Sequence, residues 1–275
     1  MHTRQGATMV EHIIHGVHKV GGGSWFGAVP VCSDEGDCNV YLIEAGDRLL
    51  LIDSGRLAGI DAIRGNIVEA GFTPEQVTDL LLTHSHFDHS DTTGKWQAEH
   101  GLTVHMSSIG AEYLRVGDHR LVGYHIVDGF SFQPFQVDHS INPESQFTVG
   151  SLQLKAHVCP GHTPDSMVFA FEISGMQVWV CGDITFGRNH KGQLGHIGLQ
   201  NMLWKSNLRN YEDSLVRMLG MEIPEVLLPG HGAAVIGVKE VTEVITASLD
   251  TVREMLGFKH LVHFDISNLI EGGIL

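Results

Sequence analysis

Positively charged residues are scarce in this sequence. The 275 residues include 17 lysines and arginines against 32 aspartates and glutamates, which gives a formal net charge of −15 at pH 7. A chain of this charge repels a phosphate backbone, and it lacks the cations whose binding to phosphates releases counterions. We therefore expect no nucleic-acid partner.

Long apolar segments are also missing. Crossing a bilayer takes about 20 consecutive apolar residues, and no run in this chain approaches that length. The first eight residues, Met1 to Thr8, are polar and lack the basic start, apolar stretch and small-residue cleavage site of a secretory signal. We expect a cytoplasmic protein that does not enter a membrane, with residues 1–8 disordered.

Cysteine is rare and scattered. None of the four cysteines belongs to a C-x-x-C pair, and four are too few for the dense disulfide framework of a small secreted domain. We expect reduced thiols at Cys32, Cys38, Cys159 and Cys181, with a loop bridge between Cys32 and Cys38 as the alternative.

No fixed-period repeat, low-complexity tract or Pro/Gly/Ser-rich linker separates parts of the chain, so residues 1–275 are expected to form a single domain. Apolar strand patterns occur in both halves, and segments with helical spacing flank them. We expect strands within 40–52 (a hairpin), 80–82, 102–106, 147–157, 167–173, 177–181 and 226–228, and helices within 60–70, 207–219 and 238–256. This order predicts an α/β fold, an αββα sandwich in which two sheets pack face to face.

Histidine, in contrast, is abundant, with 19 copies. It is the commonest metal ligand, and three copies lie with an aspartate in the segment His84-Ser-His86-Phe-Asp88-His89, directly after the expected strand at 80–82. His84 and His86, two apart on extended backbone, point to the same side. Asp88 and His89 can turn toward a second position as a helix begins. One loop can thus supply ligands to two metal ions.

Three more candidate ligands follow apolar strands later in the chain. His162 lies in Cys-Pro-Gly-His-Thr, Asp183 in Cys-Gly-Asp, and His231 in Pro-Gly-His-Gly. Each has a glycine beside it, which permits a close backbone approach. Because all lie on loops at strand ends, they can converge at one rim of the sandwich. Imidazole and carboxylate are ligands that zinc prefers, although iron and manganese also accept them.

Taken in chain order, these residues resemble the five motifs of the metallo-β-lactamase superfamily. The resemblance implies the αββα fold, with two divalent metal ions at one edge of the two sheets. It looks closer to the glyoxalase II and lactonase branch than to the antibiotic-degrading lactamases, because both aspartates and the Pro-Gly-His-Gly motif are present. The matching residues are Asp53, His84, His86, Asp88, His89, His162, Asp183 and His231.

The resemblance also implies an assignment of ligands. The first metal would be bound by His84, His86 and His162. The second would be bound by Asp88, His89 and His231, and Asp183 would bridge the two. Asp53, which ends the strand at 49–52, is expected to accept a hydrogen bond from a ligating histidine or from the backbone of the histidine loop.

The charges of such a site indicate hydrolysis. Two divalent ions, two carboxylates and a bridging hydroxide leave about one positive charge, which favours an oxyanion, and coordination lowers the pKa of water toward about 7. We expect the bridging hydroxide to attack an ester-type carbonyl of a small-molecule substrate, whether a lactone, a carboxylic ester or a thioester. Asp88 is placed to orient the hydroxide and to pass its proton to the leaving group.

The substrate itself is not indicated by the sequence. Where many lactonases of the superfamily carry a tyrosine shortly after the bridging aspartate, this chain has Ile184-Thr-Phe186. Phe186 and His190 are candidate substrate-binding residues. The alternatives are a small-molecule phosphodiesterase, an iron-dependent sulfur dioxygenase and a non-catalytic metal-binding module. The apolar stretch from Leu261 to Leu275 leaves a homo-oligomer open.

Overall fold

The computed structural model describes residues 9–24, 31–116, 119–123, 134–189 and 191–261. The predictions for residues 1–8, for His190 and for the apolar end of the chain after Leu261 lie outside these ranges. Two β-sheets, six α-helices and three short 3₁₀ helices account for the regular structure of the described residues.

The first sheet is built from the N-terminal half of the chain. Its seven strands are ordered β1-β2-β3-β4-β5-β6-β7. The first three pairings are antiparallel, as hairpins require, and the pairings from β4 to β7 are parallel. Its strands are β1 (Glu11–Ile14), β2 (Val17–Gly21), β3 (Val40–Ala45), β4 (Arg48–Ile52), β5 (Val77–Leu81), β6 (Thr103–Ser107) and β7 (His139–Ile141).

The second sheet comes from the C-terminal half, in the order β13-β12-β11-β10-β9-β8. Here β11 and β12 are parallel neighbours, while the other pairings are antiparallel. Its strands are β8 (Gln146–Val149), β9 (Leu152–Val158), β10 (Met167–Ile173), β11 (Met176–Gly182), β12 (Val226–Pro229) and β13 (Val235–Ile236).

Three apolar clusters show how the layers pack. One cluster contains inward side chains of both sheets, such as Ile52 and Phe169, so the sheets face each other. The second joins the outer face of the C-terminal sheet to α5 and α6, and the third joins the N-terminal sheet to α1 and α3. The predicted αββα sandwich is confirmed. The helices are α1 (Ile60–Glu69), α2 (Phe87–Ser90), α3 (Thr93–His100), α4 (Ser108–Arg115), α5 (Leu208–Leu219) and α6 (Val238–Leu261).

Most predicted elements lie within two residues of an observed one, but one prediction was wrong. The segment 147–157, expected as a single strand, forms two antiparallel strands, β8 and β9, joined at Gly150 and Ser151. Gly150 has φ 53°, a left-handed conformation that glycine adopts without steric cost and that reverses the chain. The apolar pattern continues on both sides of this turn, so periodicity alone did not reveal it.

Two expectations from composition can be compared with the structure. All four cysteines are buried free thiols, so the alternative bridge between Cys32 and Cys38 is absent. Among the described helices, none combines the length and the apolar character needed to cross a membrane. Strands from both halves of the chain share one core, and a single domain over residues 1–275 stays a prediction.

The inter-sheet core yields a stability prediction. Phe169 is fully buried there, so Phe169→Ala should leave a cavity and lower the free energy of unfolding by about 3–5 kcal/mol, as measured by chemical denaturation. Val68 on α1 is 58% exposed, and Val68→Ala, the matched control, should change stability by no more than about 0.5 kcal/mol. Equal effects of the two substitutions would contradict the packing described here.

Candidate metal centre

The seven predicted ligands meet at one rim of the sandwich, where strands of both sheets end. The histidine loop follows β5 and continues into α2, whereas the other three ligands lie in the β9–β10 loop and just after β11 and β12. Their ligand atoms form groups within 4.8 Å of one another, and all are buried. The groups are His84, His86 and His162; His84, His89 and Asp183; and Asp88, His89 and His231.

Asp183 lies between the histidines of the different groups. Its carboxylate oxygens are 3.2 Å from His89 Nε2, 3.6 Å from His162 Nε2 and 3.5 Å from His231 Nε2. Asp88 is on one side only, with its Oδ2 3.3 Å from His231 Nε2 and 3.9 Å from His89 Nε2. The central position of Asp183 is the one that a shared ligand requires.

Oxygen atoms behind the cluster fix which ring nitrogen of three histidines faces inward. His89 Nδ1 lies 2.8 Å from Asp53 Oδ2, and His162 Nδ1 lies 2.9 Å from the Leu199 carbonyl. His84 Nδ1 lies 3.1 Å from the Thr83 hydroxyl. If each Nδ1 carries the hydrogen and donates it, each Nε2 presents a lone pair to the interior. Partners of this kind orient metal-ligating histidines and fix their tautomer.

Asp53 holds the histidine loop at several points. Its Oδ1 accepts a hydrogen bond from Thr83 N, and its Oδ2 accepts one from Thr83 Oγ1, both at 2.8 Å. Asp53 has φ 58°, in the left-handed region that aspartate tolerates better than most side chains. This conformation directs its carboxylate from the end of β4 to the end of β5. Asp53 thus contacts both the histidine-loop backbone and the His89 ring, and its role behind a metal ligand stays a prediction.

The histidine trio on the first side carries no charge of its own. Burial lowers the pKa of His84 and of His86 well below the usual value, and the neighbouring imidazoles lower both further. Burial also lowers the pKa of His162, against the opposing effect of Asp183. All three rings are therefore neutral near pH 7, the state in which imidazole binds a metal.

The aspartate side is ion-paired instead. Burial would raise the pKa of Asp183 and of Asp88, but His231 and His89 outweigh it and hold both carboxyls below their usual range. Burial likewise opposes protonation of His231, yet the two carboxylates raise its pKa to about 9. The buried carboxylates thus require compensating positive charge, which protons on His231 and His89 supply in the absence of another cation.

Glycine permits the close approach that brings the C-terminal ligands inward. A Cβ added to Gly230 would lie 2.2 Å from Asp183 Oδ1 and 2.8 Å from His89 Cε1. At Gly161, which has φ 154°, an added Cβ would lie 2.5 Å from the Cα of Tyr211. No other residue fits at either position without displacing a candidate ligand or a helix.

Two neighbours of the cluster, Tyr211 and Trp204, lie outside the ligand set predicted from the sequence. The Tyr211 hydroxyl lies 2.7 Å from the Asp183 carbonyl oxygen and accepts a hydrogen bond from Gly198 N. Trp204, in a short 3₁₀ turn, packs its ring edge-on against His86 at 4.4 Å between centroids. A helical apolar pattern had identified α5 but gave no sign that its Tyr211 reaches the site.

Phe186 is fully buried, and its ring lies edge-on to His231 at 5.3 Å between centroids. The structure therefore places it against a candidate ligand, and a role in substrate binding remains a prediction. The same holds for His190, which lies outside the described residues.

The donor set fits divalent metal ions. His84 Nε2 and His86 Nε2 are buried without a hydrogen-bond partner among the described residues, a costly arrangement unless something else binds them. His86 Nδ1 and His162 Nε2 face each other at 2.8 Å. Five imidazoles and two carboxylates match the ligands that zinc and similar ions accept.

Comparison with known proteins also indicates a metal-dependent hydrolase. The sequence profile of the metallo-beta-lactamase superfamily matches residues 33–231. The probable metallo-hydrolase YqgX of Bacillus subtilis (strain 168) is 26% identical over 196 residues, which cover 70% of this chain and 84% of YqgX.

Solved structures share the fold. A metallo-beta-lactamase of Cronobacter sakazakii aligns with a TM-score of 0.71 at 18% identity, covering 92% of this chain and 99% of that one. The subclass B3 enzyme BJP-1 of Bradyrhizobium japonicum aligns with a TM-score of 0.68 at 19% identity, covering 90% and 92%.

Fold, donor set and relatives together define a metal-dependent hydrolase. Because the family profile covers most of its length, the chain belongs to the metallo-beta-lactamase superfamily.

The position of Asp53 behind His89 predicts an effect on metal affinity. Asp53→Asn removes a charged acceptor from the ring without removing a ligand, and such changes typically weaken metal binding by about 10- to 100-fold. Competition with a chromophoric chelator would measure it.

The matched control is Asp79→Asn. Asp79 is also buried and also pairs with a histidine, His105, at 2.8 Å, but it lies in the middle of β5, whereas the histidine loop follows the end of that strand. This variant should bind metal as tightly as the unmodified protein. Equal affinities of the Asp53 and Asp79 variants would show that Asp53 does not orient a ligand.

Proposed function

We propose that this chain is a dinuclear metal-dependent hydrolase that acts on an ester-type carbonyl, namely a lactone, a carboxylic ester or a thioester. The observation that carries the proposal is the convergence of all seven candidate ligands at one rim, where His84 Nε2 and His86 Nε2 have no hydrogen-bond partner among the described residues. A non-catalytic member of the fold would be expected to have lost at least one of them.

Two sites sharing Asp183 account for the grouping of the ligands. His84, His86 and His162 would hold the first ion, and Asp88, His89 and His231 the second. The neutral trio on one side and the carboxylate-rich set on the other support this division. Zinc is the proposed metal, and iron and manganese fit the same donors.

Bound divalent ions would polarise the substrate carbonyl and lower the pKa of a coordinated water. The chain itself contributes proton transfer. Asp88 lies at the start of α2, 8% exposed, with its carboxylate against His231. Its low pKa keeps it ionised, so it can accept the proton of the attacking water and pass it to the leaving oxygen or sulfur.

The number of metal ions tests the dinuclear arrangement. Protein purified without added metal should contain about two ions per chain by elemental analysis, because a complete donor set is present for each. Fewer than about 1.5 ions per chain would count against two sites. A single iron per chain would instead favour the sulfur dioxygenase alternative.

Substitution of Asp88 tests its role in proton transfer. General acid–base catalysis contributes about 10²- to 10⁴-fold, so Asp88→Asn should lower kcat by at least about 100-fold when saturated with metal. Asp91→Asn, one helical turn later, is the matched control, because Asp91 accepts a hydrogen bond from Leu57 N and belongs to none of the ligand groups. An Asp88 variant that keeps both ions and most of its turnover would refute the role.

A substrate panel tests the reaction class. Metal-loaded protein would be assayed with lactones, thioesters, aryl esters, a bis-phosphodiester and a β-lactam, the last because the solved relatives are lactamases. The proposal expects the highest kcat/KM on one of the first three. A faster bis-phosphodiester would assign the chain to the phosphodiesterase alternative, and a faster β-lactam would contradict the predicted glyoxalase II and lactonase branch.

A further inference from the structure

A second pair of facing imidazoles lies on the β1–β2 hairpin. His12 and His18 are cross-strand partners, and their Nδ1 atoms are 2.6 Å apart, with the rings edge-on at 4.8 Å between centroids and 87° between planes. Neither residue belongs to the seven-residue cluster. Two imidazole nitrogens approach this closely only when a hydrogen or a cation lies between them.

Glu44 determines the tautomer of His18. Its Oε1 lies 2.8 Å from His18 Nε2. A carboxylate accepts hydrogen bonds and does not donate them, so the Nε2 of His18 carries the hydrogen and its Nδ1 presents a lone pair to His12. A carboxylate behind an imidazole is the usual partner of a metal-ligating histidine.

The hairpin pair repeats the geometry of the candidate metal centre. There His86 and His162 also lie edge-on, at 4.4 Å and 89°, with facing nitrogens 2.8 Å apart. There, too, an oxygen atom, the Leu199 carbonyl, lies behind one of the two rings. The two places thus share ring geometry, nitrogen separation and an oxygen partner.

The local backbone and charge favour a cation at the hairpin. The strand pairing shifts register between His12 and Ile14, and bulges of this kind re-aim side chains. The His18 side chain is 9% exposed, while His12 lies on the exposed part of β1. Lys19, which follows His18 in the chain, is paired with Glu11 at 3.3 Å. A bound ion would therefore contact the buried ring of His18 and the exposed ring of His12, and water could reach it from the side of His12.

We propose that His12 and His18 bind one divalent transition-metal ion through their Nδ1 atoms, separately from the catalytic centre. Binding moves the hydrogen of His12 from Nδ1 to Nε2, so no net proton is released, and both Nδ1 lone pairs face the ion. Two nitrogens bonded at about 2.0 Å lie about 2.8 Å apart at a right angle and about 3.3 Å apart at a tetrahedral angle. The close pair thus favours an ion of tetragonal preference, Cu²⁺ above all.

Titration with Cu²⁺ of full-length protein already saturated with Zn²⁺ tests the site. Electron paramagnetic resonance should show one Cu²⁺ per chain with hyperfine coupling to two imidazole nitrogens. His12→Asn, at an exposed position, should remove this signal and weaken binding by about 100-fold or more. Glu44→Gln should weaken it by about 10-fold, as the loss of an outer partner does.

The matched control is His15→Asn, because His15 is an exposed histidine in the turn of the same hairpin. It should leave the copper signal and affinity unchanged. Equal loss in the His12 and His15 variants, or a signal that survives His12→Asn, would overturn the proposal. So would a pair that exchanges only a proton, seen as unaltered ¹⁵N tautomer signals of His12 when Cu²⁺ is added.

Discussion

The structure at the rim depends on one constraint, the fixing of imidazole rings from behind by oxygen atoms. The Asp53 carboxylate, the Thr83 hydroxyl and the Leu199 carbonyl each lie against the outer nitrogen of a buried ring. Without these acceptors the rings could exchange tautomers or rotate, and the inner nitrogens would not converge. Three features bring those oxygens and rings together. They are the ends of the parallel strands, the left-handed conformation of Asp53, and the glycines that permit a close backbone approach.

Much of this arrangement was accessible from the sequence because the relevant residues are locally encoded. The spacing of His84, His86, Asp88 and His89 follows a buried strand, and each later ligand follows an apolar run with a glycine beside it. The αββα sandwich was predicted from the strand patterns in both halves of the chain. Each of these motifs extends over about ten residues, the length of one strand and its turn, so each is visible in the local sequence.

The remaining features arise from contacts between distant segments. The Leu199 carbonyl that fixes His162 is a backbone atom with no sequence signature, and Tyr211 reaches Asp183 from a helix identified only by its apolar stripe. The Gly150 turn lay inside a continuous apolar pattern. The facing of His12 and His18 depends on the register of the β1–β2 pairing, which periodicity does not encode.

The segment from Leu199 to Trp204 contacts the candidate metal centre in two ways. Its backbone accepts a hydrogen bond from His162 Nδ1 and thereby fixes the tautomer of that ring, and its tryptophan ring packs against His86, so the same few residues contact two of the candidate ligands. Gly198 also leaves no room for a side chain, because an added Cβ would lie 2.4 Å from His162 Nδ1. Substitutions in this stretch that change the substrate range would therefore also affect metal binding. Related proteins with different substrates should differ mainly in loops that border the rim without contacting a ligand.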